Sequence, residues 1–596
     1  MKEAPSASSG GGIYRPADFA TLTQALDYAA QGQAGLNFYS GKGDLLEALN
    51  YSDLRGQAQS LARRMRNAGL DAGERVAIIA ETDGNFARAF FACQYAGLVP
   101  VPMPLPMAFG GKAGYISHIR RMIESAGASA ALCPEALREM TLEATNGLAL
   151  KAVGALEVFD LYADDGALLP DVTPDQLSYL QYSSGSTRFP LGVAVTQKAL
   201  LSNCRAITAH GLKIVASDRC VSWLPFYHDM GLVGFLLVPV ATQMSVDYVS
   251  TREFARRPLV WPTLISRNGG TLSFSPSFGY DLCARRGASG ARPANLDLSR
   301  WRVAGIGGDM IRDSVMSHFA ESFAHSGFRR QAFVASYGMA EATLAISFAP
   351  LATGIETDNI DLDQLETSAI ATSVKSNGNG NGSKRSRNFV FCGPVLPGHD
   401  LEIRDPAGNV LGERQAGRVM VRGPSLMREY FGNQEETSRA LSADGWLDTG
   451  DLGYLSGGAL VITGRSKDLI LVNGRNVWPQ DLEWAVEHEV DGLRSGDVAA
   501  FSVDEAAAER VVLLAHCRKT SEIDREGLRQ AIIETIRAKA GLDCEVMLVA
   551  PHSLPQTSSG KLSRTQAREL YLAGEVSVKA GLNNGSTSDL TLLHQA

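Results

Sequence analysis

The sequence has no apolar run long enough to cross a bilayer. Its most hydrophobic stretch, GLVGFLLVPVA from Gly231 to Ala241, falls far short of the ~20 residues that a membrane-spanning helix requires. The first residues, MKEAPSASSGGG, hold no apolar segment of a secretory signal; small, polar and glycine-rich, they read as disordered. A cytoplasmic protein without a membrane span is expected. Paired cysteines are missing too. None of the eight, Cys93, Cys133, Cys204, Cys220, Cys283, Cys392, Cys517 and Cys544, stands in a C-x-x-C spacing. That argues against a zinc site or a disulfide framework and for scattered buried thiols in a reducing compartment. There is no basic excess: 56 Lys and Arg against 64 Asp and Glu give a formal charge of −8. The broad positive surface of a nucleic-acid binder is therefore not expected, while a small basic patch for an acidic protein partner stays open. Internal repeats are also absent.

At 596 residues the chain is too long for one compact core, so two or more domains are expected. From about Tyr51 helical and strand patterns alternate. YSDLRGQAQSLARRMRNAGL puts Leu54, Ala58, Leu61, Ala62 and Met65 on one helical face, with Gly69 as its stop. ERVAIIAE reads as a buried strand and NFARAFFACQYAGL as a helix. VPVPMPLP, Val99 to Pro106, cannot lie inside a sheet, because prolines donate no ladder hydrogen bond. The alternation predicts an α/β fold with a largely parallel sheet. Leu351 to Asn388 breaks this rhythm and reads as an insertion; its second half, SVKSNGNGNGSKRSRN, reads as a flexible surface loop or linker. DLEIRDPAGNVLGE and GRVMVRG then carry short strands, and GALVITGRSKDLILVNGRN joins two apolar runs through a polar hinge at Gly464 to Asp468. The next 110 or so residues read as a small separate α+β domain. The expected division is 1–465, with the insertion at about 351–388, then 466–575, then a tail at 576–596 without strong pattern.

One further absence concerns chemistry. SSGSTRFPLG, Ser183 to Gly192, follows the strand pattern LSYLQY and has the Ser, Thr and Gly content of a phosphate-holding loop. It lacks the lysine of a P-loop. The cation for a nucleotide site must come from elsewhere, or the segment is an ordinary loop. Other marked stretches are WLPFYHDMGL, with His228 and Asp229; GIGGDM, a tight glycine turn; SYGMAEATL; GWLDTGDLGYL, offering Asp448 and Asp451 in a turn; GRSKD; and LPQTSSGKLSR near the end.

In this order, over residues 15 to 572, these motifs resemble those of the adenylate-forming enzyme superfamily. The resemblance implies a large N-terminal adenylating domain of mixed sheets with flanking helices and a small mobile α+β C-terminal domain. It implies ATP and Mg²⁺. It places the missing cation at Lys561, on the small domain, where it would neutralise the meeting of a carboxylate with the α-phosphate and be withdrawn for a second step. Ser183, Ser184, Gly185, Ser186 and Thr187 would hold the β- and γ-phosphates. Tyr337 would stack on adenine in the motif that also holds Gly338 and Met339, with Gly307, Gly308 and Asp309 lining the adenine pocket. Glu341 would help bind Mg²⁺. Asp451, assisted by Arg465, would accept from the ribose hydroxyls. His228 would stand where the acyl carboxylate meets the phosphate, unless it is simply a packed histidine. Lys467 takes the hinge position.

YGMAEAT, LNFYSGKGD, FFACQYAGLVPVPMP and NGRNVWPQDLE resemble one branch in particular, the fatty acyl-AMP ligases, and the insertion stands where that branch carries an extra segment. The branch implies a fatty acid substrate, an apolar acyl tunnel and transfer to the phosphopantetheine thiol of an acyl carrier protein, the extra segment disfavouring free CoA. Phe226, Met230, Leu232 and Phe278 are candidate tunnel residues, with core packing the alternative; Lys467 and Arg475 are candidates for meeting an acidic carrier. The chain departs from the superfamily pattern at Arg188 and Leu191 in the phosphate loop and in having GGD in the adenine turn. A fatty acyl-CoA synthetase and a non-catalytic acyl- or nucleotide-binding paralogue are the competing expectations. An aryl- or amino-acid-activating domain is a further alternative, although no acidic partner for an α-amine is placed.

Overall fold

The helix expected from YSDLRGQAQSLARRMRNAGL spans Tyr51–Asn67. Asn50 caps it by accepting from the Asp53 N–H, and Leu54, Ala58, Ala62 and Met65 line its buried face. Gly69, just past its end, takes φ +86°, and Leu61 is only half-buried. Helix Gly84–Ala96 packs beside it, capped by Asp83 and closed by Gly97 at φ +68°. This computed structural model describes residues 14–106, 111–183, 190–288, 295–374, 385–472, 475–505, 508–556 and 562–576. The polar first dozen residues and the end of the tail lie outside that set.

The chain forms two compact units, Met1–Ser466 and Lys467–Ala596. In the first, an eight-stranded sheet runs in the order Ala345–Phe348, Phe333–Gly338, Val303–Ile306, Leu272–Ser275, Arg219–Ser222, Ser245–Val249, Gly35–Tyr39, Leu45–Asn50. It is parallel through the middle and antiparallel at both edges. Its central strands are buried throughout, as in other sheets covered on both faces. A second sheet, wholly parallel, has the order Val99–Met103, Arg75–Ile79, Ala128–Leu132, Ala152–Gly154. The proline-rich run is thus a strand, and it stands at the edge. Val99 and Met103 bond toward Arg75–Ile79, so the alternating Pro100 and Pro102 turn their missing donors away from the ladder.

Smaller antiparallel sheets complete this unit: Glu429–Tyr430, Gly192–Thr196, Leu177–Tyr182; and Asp400–Arg404, Gly417–Arg422, Leu447–Ser456, Ala459–Arg465. The apolar run GLVGFLLVPVA is helical with a π-turn at Val233–Leu237. Pro239 removes the N–H that would have served the Phe235 carbonyl, and the Tyr248 hydroxyl donates there instead.

The insertion corrects one expectation. Its second half is not loop throughout, because Ser386–Val390 pairs antiparallel with Thr357–Asp361. Helix Leu362–Ser368 follows the first strand. Asp358, 7% exposed, accepts from Arg414 Nη1 at 2.9 Å, Ser373 Oγ at 2.8 Å and the Tyr454 hydroxyl at 3.0 Å. Arg385 grips the buried Glu366 with two N–H groups at 2.9 and 2.8 Å. Residues 375–384 lie outside the described set.

In the second unit, strands Val498–Glu505, Ala508–His516 and Cys544–Val549 form a mixed sheet, and Ile470–Val472 pairs with Arg475–Val477. Helices Pro479–Glu489, Glu522–Ala540 and Arg564–Leu572 accompany them, and Leu482, Val486, Leu513, Ile532 and Ile536 share one apolar core. The architecture is α/β: a large mixed-sheet unit and a small one. All eight cysteines are free, and only Cys544 is less than buried. Among the described residues no helix is long and apolar enough to cross a membrane.

Candidate active site

Topology gathers the motifs. Arg219–Ser222, Val303–Ile306 and Phe333–Gly338 run parallel in one sheet, so the segments after them leave from the same edge, where open α/β sheets bind ligands. Those segments hold His228, then Gly307, Gly308 and Asp309, then Met339 and Glu341.

Close approach of backbone requires the glycine at Gly338, and a side-chain oxygen crowds Gly307. A Cβ at Gly338 would stand 1.8 Å from the Leu344 carbonyl oxygen, and one at Gly307 would stand 2.6 Å from Ser336 Oγ. Gly308 turns the chain at φ +77°. Asp309 is exposed, with its carboxylate accepting from the Met310 N–H at 2.8 Å.

Tyr337 joins two motifs 114 residues apart: its hydroxyl donates to Asp451 Oδ2 at 2.7 Å. Burial raises the Tyr337 hydroxyl well above the usual tyrosine range, Asp451 adds to this and Arg465 opposes it, so the phenol is the donor. Asp451 and Asp448 lie within strand Leu447–Ser456, not in an open turn, with Gly450 at φ +71° between them. Across the ladder, Arg465 is in register with Asp451, its Nε 3.6 Å from Oδ1.

Glu341 lies in the short 3₁₀ turn Ala340–Ala342 and is 6% exposed. Its Oε1 accepts from the Tyr430 hydroxyl at 2.8 Å. Burial pushes this carboxyl above the usual range against the Tyr430 bond, with Asp229 raising it and Arg465 lowering it further. Thr343, two residues on, has φ +70° and ψ −56°, a strained γ-turn conformation, and its hydroxyl donates to the Ser425 carbonyl. His228 Nδ1 is 2.6 Å from Asp229 Oδ1, and the Met230 N–H also reaches Asp229 at 2.7 Å. The Met230 N–H also lies 3.3 Å from His228 Nδ1, so that nitrogen stands between a backbone donor and the Asp229 carboxylate.

Ser183 closes the strand before the Ser/Gly loop. Its N–H donates to the Leu191 carbonyl at 3.0 Å, while its buried Oγ has no partner among the described residues. Ser184, Gly185, Ser186, Thr187 and Arg188 lie outside the described residues, as does Lys561. Lys467 is the first residue of the second unit, within the 3₁₀ turn Ser466–Asp468. Of the tunnel candidates, Phe226 and Leu232 are fully buried, Met230 nearly so, and Phe278 packs edge-on against Trp223. Asp229 was marked by sequence beside His228; Tyr430 was not singled out, because, 89 residues from Glu341, it has no local signal.

One carboxylate without a cluster suits a hard cation that keeps most of its waters and takes its other ligands from a substrate's phosphates. Among the described residues no group of three His, Cys, Asp or Glu side chains is placed to hold a metal, so Glu341 fits that description and not that of an all-protein cage.

Comparison with known proteins gives this arrangement its context. The AMP-binding enzyme family matches residues 27–431. A protein of Caulobacter vibrioides named "Putative acyl-CoA synthetase" is 53% identical over 94% of this chain and 96% of its own length. The medium-chain-fatty-acid–[acyl-carrier-protein] ligase JamA of Moorena producens is 31% identical over 94% of this chain and 96% of its own. A solved structure from a study of fatty acyl-adenylate ligases of E. coli and L. pneumophila superposes with a TM-score of 0.88 at 43% identity, covering 94% of this chain and 99% of that one.

Proposed function

This chain belongs to the AMP-binding enzymes, the ATP-dependent adenylate-forming ligases, and on that footing we propose that it activates a medium- or long-chain fatty acid as its acyl-adenylate and passes the acyl group to the phosphopantetheine thiol of an acyl carrier protein. In the first step a carboxylate oxygen of the acid attacks the α-phosphorus of ATP, the bond to the bridging oxygen breaks, and pyrophosphate leaves. Both reactants are anions, so the charge gathering at the α-phosphate must be met by fixed cationic and N–H groups. Lys561 is that cation, and Ser183 to Thr187 hold the β- and γ-phosphates. The Tyr337 ring flanks adenine while its hydroxyl aims Asp451 at the ribose; Gly307, Gly308 and Asp309 border the base. Glu341, aimed by Tyr430, would hold Mg²⁺, which neutralises phosphate charge when bound. His228, fixed by Asp229, faces the acyl carboxylate. In the second step the thiol sulfur attacks the acyl carbonyl, the bond to the phosphate oxygen of AMP breaks, and the thiol proton is released.

The observation that carries the adenylation reading is the bond from Tyr337 to Asp451 with Arg465 alongside, because it brings the proposed adenine and ribose groups together. Support for a carrier as acceptor comes from the anchored insertion and from the likeness to JamA. The 53% identical relative's name favours a second reading, with CoA as the acceptor. Product analysis separates the two. Incubate the full chain with ATP, Mg²⁺ and dodecanoate, then divide the mixture between CoA and a phosphopantetheinylated carrier. Acyl-AMP that persists with CoA and transfers to the carrier is the expected result. Prompt acyl-CoA formation would establish the second reading instead.

A further inference from the structure

Within the second unit Arg564 holds two carboxylates from distant parts of the chain. Its Nε and Nη2 donate to Glu483 Oε1 and Oε2 at 2.8 and 2.7 Å, and its Nη1 donates to Asp468 Oδ2 at 3.1 Å. The three side chains are nearly removed from solvent: Arg564 is 16% exposed, Glu483 3% and Asp468 11%. Glu483 Oε1 also accepts the Ala500 N–H at 3.0 Å, fastening the group to the sheet. A planar guanidinium can serve a two-oxygen fork and a third acceptor together, which an ammonium cannot do in the same geometry.

The two ends of this cluster have different meanings. Asp468 lies in the turn Ser466–Asp468, where the chain passes from one unit to the other. Arg564 opens the helix just after the TSSGKL stretch, three residues beyond Lys561 in sequence. The flanks of that stretch are closed on each other: Gln556 bridges Leu562, and the Ser563 N–H donates to the Pro555 carbonyl at 2.9 Å. Upstream, the Leu554 N–H donates to His516 Nε2 at 3.3 Å, and His516 Nδ1 faces Asp497 at 2.9 Å. The stretch therefore leaves a fixed base, and Arg564 ties that base to the turn.

We propose that Arg564 is a positioning residue for Lys561, coupling the base of the lysine stretch to the Ser466–Asp468 turn so that the two are delivered as one body in the adenylation step. This rests on the role given to Lys561 above. The test separates the half-reactions in the full chain. Arg564→Gln is expected to lower kcat for acyl-AMP formation at least tenfold, with KM for ATP within about twofold and acyl transfer from supplied acyl-AMP to the carrier within about twofold of wild type. Equal losses in both halves would mean that Arg564 only keeps the unit folded, and would overturn the proposal. Asp468→Asn guards against misfolding, since it leaves the Arg564–Glu483 fork intact; it should lower adenylation about threefold or more and spare transfer. A wild-type adenylation rate in Asp468→Asn would overturn the coupling to the turn. Lys561→Ala distinguishes the two levels of failure. If it adenylates normally, the role of Lys561 falls and the proposal falls with it. If it is inactive in adenylation while both other variants are normal, only the positioning role is wrong.

Discussion

Tyr337 illustrates how a single side chain serves two ends of a site. Its ring belongs to the strand end at the large sheet, and its hydroxyl reaches Asp451 on a separate antiparallel sheet. A hydrogen bond to a charged acceptor is worth about 1.5–3 kcal/mol. Tyr337→Phe keeps the ring and leaves Asp451 without that donor. KM for ATP should rise about tenfold with kcat nearly unchanged, read from initial rates of pyrophosphate release. An unaltered KM would show that Asp451 is held well enough by its neighbours, and the aiming role would be dropped. The pairing was not legible beforehand. Sequence pattern exposed both motifs because each has an unusual local composition, but a contact 114 residues long follows from tertiary packing. The same holds for Tyr430 on Glu341 and for Arg564 on Asp468. Where chemistry is local, as in Gly338 or the His228–Asp229 pair, the residues were already marked by sequence.

Elements were more legible than contacts, and the exceptions have physical causes. Helix Tyr51–Asn67 and strand Leu177–Tyr182 follow from periodicity alone. The proline run forms a strand because every second residue of an edge needs no donor, so the rule against prolines governs sheet interiors. The insertion misled in a different way: Ser386, Arg387 and Asn388 are polar enough to read as linker, yet they pair with Thr357–Asp361. Its structure is fixed by buried charge as well as by buried apolar side chains such as Ile360, Leu365 and Phe389, with Asp358 satisfied by Arg414, Tyr454 and Ser373. Asp358→Asn removes the charge and turns an amide N–H₂ toward groups that donate. The hairpin should weaken by about 2–3 kcal/mol, seen as faster amide hydrogen exchange across residues 357–390 than in the rest of the first unit. Unchanged exchange there would mean that the strand pairing alone holds the insertion. Any deletion aimed at acceptor choice should be confined to 375–384, since removing Ser373 to Asn388 would cut into the paired strand.

At the scale of the molecule, each unit has its own core, and each also holds buried charge. Asp497 is the clearest case. Burial works to raise its carboxyl, but bonds from His516 and Arg518 outweigh this and hold it at about 2, below the ordinary 3.8. Because the folded value is depressed, the carboxylate stabilises the unit fully above about pH 4, and that contribution fades as pH falls from about 4 to 2. A shift of this size corresponds to about 2 kcal/mol. Asp497→Asn cannot lose what it never has. The stability gap between wild type and Asp497→Asn should therefore be widest near neutral pH and shrink by about 2–3 kcal/mol as the solution is taken to about pH 2. Denaturant titrations of the full chain at a series of pH values would measure it, with Trp478 and Trp484 reporting on the second unit. A gap that stays constant with pH would show that the carboxylate acts through packing and not through its charge. A gap that widens on acidification would place the folded carboxyl above its unfolded value, reversing the sign of the His516–Asp497–Arg518 arrangement.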